Sequence, residues 1–196
     1  MTTETHLLLF RPSGQDADVF AERLRAALPP GATLALALPD DALPSLAHAS
    51  GRDPDVPDAL VTLPGDLDDC APALILAADR ARSTVLVATR QAVLPGRDAI
   101  RLFFGLSRLD ALTRAAFHDY WLNRHAQIGR RLIPPFTYHQ LHADAALTQR
   151  AATTSGLTPS DYDGIVEVHF PDTDALIRQL SRTEVAQEAL EDEKNF

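Results

Sequence analysis

The chain has 196 residues but only one cysteine, one methionine and one tryptophan. The lone Cys70 excludes an intramolecular disulfide and argues against a cysteine-ligated zinc site. Lysine is scarce and no dense Lys/Arg stretch occurs. With a net charge of −9, that argues against a nucleic-acid partner. No apolar run reaches the roughly 18 residues of a membrane helix. The N-terminus lacks the charged-then-apolar order of a signal peptide. A soluble, cytoplasmic protein with no membrane partner is expected. Glycine-rich phosphate loops are missing too, since GDLDD and SGLTPS match no nucleotide fingerprint.

What remains is ordinary globular material. Apolar residues make up 45%, enough for a core, and the length allows one or two domains. The first half reads as strand Thr5–Phe10, helix Asp16–Leu28, strand Ala32–Leu38, a loop over 39–57, strand Ala59–Leu63, helix Leu67–Ala81 capped by Asp66 or Asp68, and strand Ser83–Thr89. That order, β-α-β-β-α-β, is the ferredoxin-like unit. Gln91–Asp98 reads as a linker. The pattern then restarts with strand Ile100–Leu106, a helix over Thr113–Leu132 and strand Phe136–Ala143. A polar loop over 144–160, strand Gly164–Phe170 and a helix over 172–191 follow.

An internal repeat supports this division. LFRP at 9–12 lines up with LSRL at 106–109, Leu24 falls on Trp121 and Leu28 on His125, and PDALVTLPGD resembles YDGIVEVHFPD. The expected domains are therefore a structural half, 1–95, and a half carrying chemistry, 99–196. The repeat calls for a fourth strand after the last helix, yet the sequence reads EDEKNF there. A truncated or distorted end, with an exposed edge on the first strand of this half, is the expectation.

The run Thr113–Leu132 is the focus. Asp110 or Thr113 can cap it, and Pro134 and Pro135 stop it. Phe117, Trp121, His125, Ile128 and Leu132 recur at steps of four, four, three and four, one face of a helix. His125 thus faces the core and must find a polar partner. Imidazole titrates near neutrality, so His125 is the first candidate for a general acid/base; the plainer reading is a packing histidine. Tyr138, Gln140 and His142 alternate on one strand face and can converge on one pocket, with Tyr138 and His142 as proton donors or orienters. Their plainer reading is a polar patch. Trp121 is core or a flat wall for an aromatic ligand. Arg108 can hold a carboxylate or make a surface ion pair. His139 points to the other face and is expected at the surface. His118 lies about 60° off the helix stripe and is expected in solvent. Asp163 reads as a turn residue, and Cys70 as a small buried apolar group. No carboxylate completes a convincing metal triad with these histidines, so no metal is expected.

Phe104 to Arg108, the run FHDYWLNRHAQIG (117–129), Tyr138 with Gln140, and YDGIVEVHF (162–170) together resemble the EthD family of dimeric α+β barrel proteins. The resemblance covers residues 99–196. It implies an α+β fold in which two ferredoxin-like sheets pack face to face, here as two tandem repeats of one chain forming an intrachain pseudo-dimer. It also implies decarboxylase, dehydratase, cyclase or isomerase chemistry on a small aromatic, lactone or polyketide-like compound, without metal or organic cofactor. In that reading His125, Tyr138 and His142 are catalytic, while Trp121, Arg108, Gln140 and Tyr120 contact the substrate, and a further homodimer can form. The rival readings are a non-catalytic small-molecule-binding or assembly module of the same fold, and a haem- or oxygen-using monooxygenase-like barrel.

Overall fold

A computed structural model describes residues 2–38, 56–65 and 71–196. Most of the expected 39–57 loop lies outside the described residues, as do Asp66, Asp68 and Cys70. In chain order the elements begin with β1 (Thr2–Leu9), α1 (Ala17–Ala27), β2 (Thr33–Leu36), β3 (Ala59–Pro64), α2 (Pro72–Ala77), β4 (Thr84–Leu94) and β5 (Ile100–Leu106). A long interrupted helix follows: α3 (Arg114–Tyr120), a π turn (Trp121–His125) and α4 (Ala126–Leu132). The chain continues through β6 (Thr137–Ala143), α5 (Ala145–Ser155), β7 (Thr158–Pro159), β8 (Gly164–Phe170), α6 (Thr173–Leu180) and α7 (Thr183–Glu193). The fold is a mixed α+β one with largely antiparallel sheet pairing. Two compact units result, one of residues 2–88 with 144–160, the other of 89–143 with 161–196.

In the first unit the strand order is β2-β3-β1-β4, with β3 antiparallel to both neighbours on its sides and β7 parallel to β4. Asp16 caps α1 by accepting from the N–H groups of Asp18 and Val19, which satisfies donors the helix cannot use itself. Phe20 and Leu24 then sit on its inner face. They pack with Leu7, Leu9, Val61, Leu63, Leu74, Val85 and Val87 in one apolar cluster. Ala151, Ala152 and Leu157 complete that cluster, so α5 belongs to this unit.

Three expectations are corrected here. The 144–160 segment is no polar loop: Asp144 caps α5 through Leu147 N–H, and Gly156 closes it in the left-handed conformation, φ 69°. Ala151 and Ala152, with Leu147 packed beside them, supply its apolar face. The Gln91–Asp98 linker is in part strand, since β4 continues to Leu94. The single helix expected over 172–191 is two, broken at Ser181–Arg182.

In the second unit the order is β4-β6-β8-β5, with β8 antiparallel to both β6 and β5. Register decides which side chains share a face. Tyr138 pairs with Val168 and Gln140 with Val166; His139 pairs with Glu167, and Arg101 with His169. Because strand side chains alternate, Tyr138, Gln140 and His142 fall on one face, and His139, Glu167, His169 and Arg101 on the other. The interrupted helix lies close on the first face. A Cβ at Gly164 would come within 2.4 Å of the Trp121 ring, and one at Gly129 within 2.5 Å of the Tyr138 ring. Glycine at these two points is what lets helix and sheet approach.

Candidate active site

Thr113 caps α3 by accepting from the Ala116 N–H. Steps of four residues overshoot a helical turn by roughly 40° each. Phe117, Trp121 and His125 nevertheless stay on one inward face, all buried. The π turn accounts for this: the Ala126 N–H reaches the Trp121 carbonyl, five residues back, and the wider turn absorbs the overshoot.

His125 Nδ1 lies 2.8 Å from Asp192 Oδ2, and the Tyr120 hydroxyl donates to Asp192 Oδ1 at 2.9 Å. A carboxylate can only accept, so Nδ1 carries the proton and Nε2 holds the lone pair. Burial lowers the His125 pKa below its ordinary value, and Asp192 partly offsets it. The ring is a neutral base at pH 7, oriented by a carboxylate. The Phe196 ring meets it edge-on at 4.9 Å, and the Tyr120 pKa is raised by its bond to Asp192.

The three residues of the β6 face are hydrogen-bonded to one another. His142 Nε2 donates to Gln140 Oε1 at 3.1 Å. Gln140 Nε2 donates to the Tyr138 hydroxyl and to the Trp121 carbonyl, both at 2.9 Å. Burial, with His118 adding to it, brings the His142 pKa down to about 3; burial raises Tyr138 to about 12. Both stay neutral at pH 7. The Trp121 indole stacks on His142 at 5.0 Å and on Phe117 at 5.4 Å.

His118 is not in free solvent. Its Nε2 donates to the Asp163 carbonyl at 2.8 Å, and its ring lies 4.4 Å from His142. Asp163 is more than a turn residue. It is buried, accepts from Arg114 Nε at 2.8 Å and from the Arg108 N–H at 3.0 Å, and lies 3.5 Å from Arg108 Nε. The side-chain contact of Arg108 with Asp163 is ionic only, since its buried Nε makes no hydrogen bond.

The opposite face of the sheet holds a cluster the sequence reading missed. His139, expected at the surface, is 6% exposed, and Glu167 is 1% exposed. Arg90 Nη1 lies 2.8 Å from Glu167 Oε2, off the line of a hydrogen bond, so the contact is ionic. Arg101 Nη1 stands 3.9 Å from Oε1. The Asp98 N–H donates to His169 Nδ1, so Nε2 carries the proton and donates to Glu167. Burial alone would raise the Glu167 pKa, but His139, His169 and the Arg90 charge together hold it well below the usual carboxylate range. His139, Glu167 and His169 could bring three ligand atoms within 4.8 Å of one another, so a carboxylate does complete the spacing of a metal triad. The donor set does not fit one. The Nε2 proton of His169 points where a metal would sit, and Arg90 donates to His139 Nδ1. The group is an ion-paired network. The usable signal was the two-residue spacing of Glu167 and His169 within an otherwise apolar strand.

His125, Tyr120 and Asp192 therefore come together on the helical layer, while Tyr138, Gln140, His142 and Trp121 form a packed group beneath it. Asp192 was not singled out from the sequence; it lies in a run of three acidic residues, 191–193, with nothing to mark it. A depression of about 660 Å³ in the first unit, lined by Arg11, Gln15, Asp16, Asp58 and Arg82 among others, contains none of the candidates. Among the described residues no helix is long and apolar enough to cross a membrane. Residues 109–196 match the family model of the EthD domain, beginning just after Arg108. No curated protein matches the chain.

Proposed function

With residues 109–196 an EthD domain, we propose that the chain is a cofactor-independent enzyme that moves a proton on a small aromatic, lactone or polyketide-like compound. The observation that carries this reading is the His125–Asp192 pair, held at 2.8 Å with Tyr120 on the far carboxylate oxygen. His125 Nε2 takes a proton from an acidic C–H or O–H of the substrate. Asp192 stabilises the imidazolium that forms, and the same proton returns to another atom of the product. Such general acid–base assistance contributes about 10²–10⁴ in rate. The Trp121 ring is held by packing, and Arg108 meets Asp163 through its backbone N–H and an ionic contact at 3.5 Å; the proposal rests on His125 and Asp192. Tyr138, Gln140 and His142 support them from beneath.

The tandem reading of residues 1–95 and 99–196 as copies of one β-α-β-β-α-β unit has support in strand order. The first unit runs β4-β1-β3-β2. In the second, the corresponding strands run β5-β8-β6, the same order without its fourth member.

A second reading, a non-catalytic binding or assembly module, is favoured by the bonding of Tyr138, Gln140 and His142 to one another. One experiment separates the two. The purified chain is incubated in D2O with a panel of hydroxyaromatic acids, lactones and 1,3-dicarbonyl compounds, and deuterium uptake or product is followed by proton NMR. The enzyme reading expects uptake or turnover that falls at least about 10²-fold in His125→Ala and Asp192→Asn. Rates in His125→Ala equal to wild type, or no reaction above buffer with any compound, favour the module.

A further inference from the structure

The wide turn in the middle of the long helix has an external partner. In an α-helix the Trp121 carbonyl would accept the N–H four residues on, from His125. Here it accepts from Ala126 instead and, on its other lone pair, from Gln140 Nε2 at 2.9 Å. Gln140 comes from β6, nineteen residues away, and is fully buried. Its amide can face only one way, because a carbonyl oxygen at that position would meet the Trp121 oxygen with no proton between them. Its own oxygen is taken by His142 Nε2–H, and its second N–H by the Tyr138 hydroxyl.

We infer that Gln140 is a positioning residue: by holding the Trp121 carbonyl it keeps this turn wide and thereby aims His125 at Asp192. The inference rests on the reading of His125 as the proton-transfer group. Its geometry is simple. Closing the turn to an α-helical one removes one residue from it and rotates everything beyond by roughly 100° relative to Phe117 and Trp121. His125 is the last residue of the turn, so its ring would leave the Asp192 oxygen 2.8 Å away. Trp121 cannot follow, because its ring edge lies against Gly164 and its ring stacks on His142 and Phe117. The His142–Gln140 bond completes the device by fixing the amide that fixes the turn.

The test is the tautomer of His125 in the full-length chain, read by long-range ¹H–¹⁵N correlation on histidine-labelled protein, with His125→Asn providing the assignment. Wild type shows a protonated Nδ1 and an unprotonated Nε2. Gln140→Met, which fills the space but donates nothing, and Gln140→Glu, which keeps the shape but loses the amide donor, are compared with it. In both, the His125 signals shift to the mixed pattern of an unrestrained imidazole, with far-UV circular dichroism retained. Where the wild type shows turnover, a misplacement of this size lowers it by roughly 10²-fold. A folded variant of either kind that keeps the Nδ1–H pattern overturns the inference; if Gln140→Met does not fold, Gln140→Glu decides. Loss of the pattern with turnover unchanged leaves Gln140 as the positioner and removes His125 from the chemistry, so the two failures are told apart.

Discussion

Replacing Glu167 by Gln keeps the shape of the side chain and removes its charge. Arg90 Nη1 is 2.8 Å from one carboxylate oxygen and Arg101 Nη1 3.9 Å from the other. At an effective dielectric of about 20, those distances correspond to attractions of roughly 6 and 4 kcal/mol. Most of that offsets the desolvation of a carboxylate that is 1% exposed. What the variant reads is the cost of taking the Glu167 charge away from two largely buried guanidinium groups, about 3–5 kcal/mol. That is a large part of the 5–15 kcal/mol typical of a folded domain. Urea unfolding at pH 7, followed by circular dichroism, measures it. Since folding depresses the Glu167 pKa, its contribution is complete above about pH 4.5 and is lost as pH falls from there towards the folded value. Glu167→Gln should therefore unfold at lower urea at pH 7 and show a flatter acid limb. The double variant Glu167→Gln/Arg90→Met should recover part of the loss. A midpoint shift equivalent to less than about 1 kcal/mol would refute the reasoning, because it would mean the network is already hydrated.

Gly164→Ala drives a methyl group to 2.4 Å from Trp121 and 3.1 Å from the Leu141 carbonyl, so it should destabilise by about 1–3 kcal/mol in the same unfolding assay. The buried His142 ring should stay neutral with its proton on Nε2 down to about pH 4, visible in its ¹⁵N shifts. Between pH 6.5 and about 3 the unfolded chain takes up a proton that this ring refuses, so stability falls as pH drops through that window, and His142→Gln should reduce the fall.

The sequence was most legible where local chemistry decides structure. Asp16 before an amphipathic run, and Thr113 before another, are caps that work through their own backbone neighbours, and both helices begin there. The same signals bracket α5, Asp144 in front and Gly156 behind. The Thr and Ser between them outweighed its four alanines and hid the helix. Alternation sorted β6 correctly: Tyr138, Gln140 and His142 do share a face, and His139 does point away from them. The error was to equate the other face with solvent, when Glu167 and Arg101 wait there on neighbouring strands. The π turn could not be read at all, because its wide hydrogen bond is chosen by Gln140, far along the chain. Asp192 was hidden for the same reason. One carboxylate in EDEKNF becomes special only once α7 brings it to Tyr120 and His125.

The single indole of this chain is fully enclosed and lies flat on an imidazole. It is therefore a built-in optical reporter. Its emission belongs wholly to the helix–sheet seam of one unit, with no second fluorophore of its kind to blur the signal. Any event that hydrates that seam, or places a charge on the ring beneath it, is written directly into the colour and brightness of the protein.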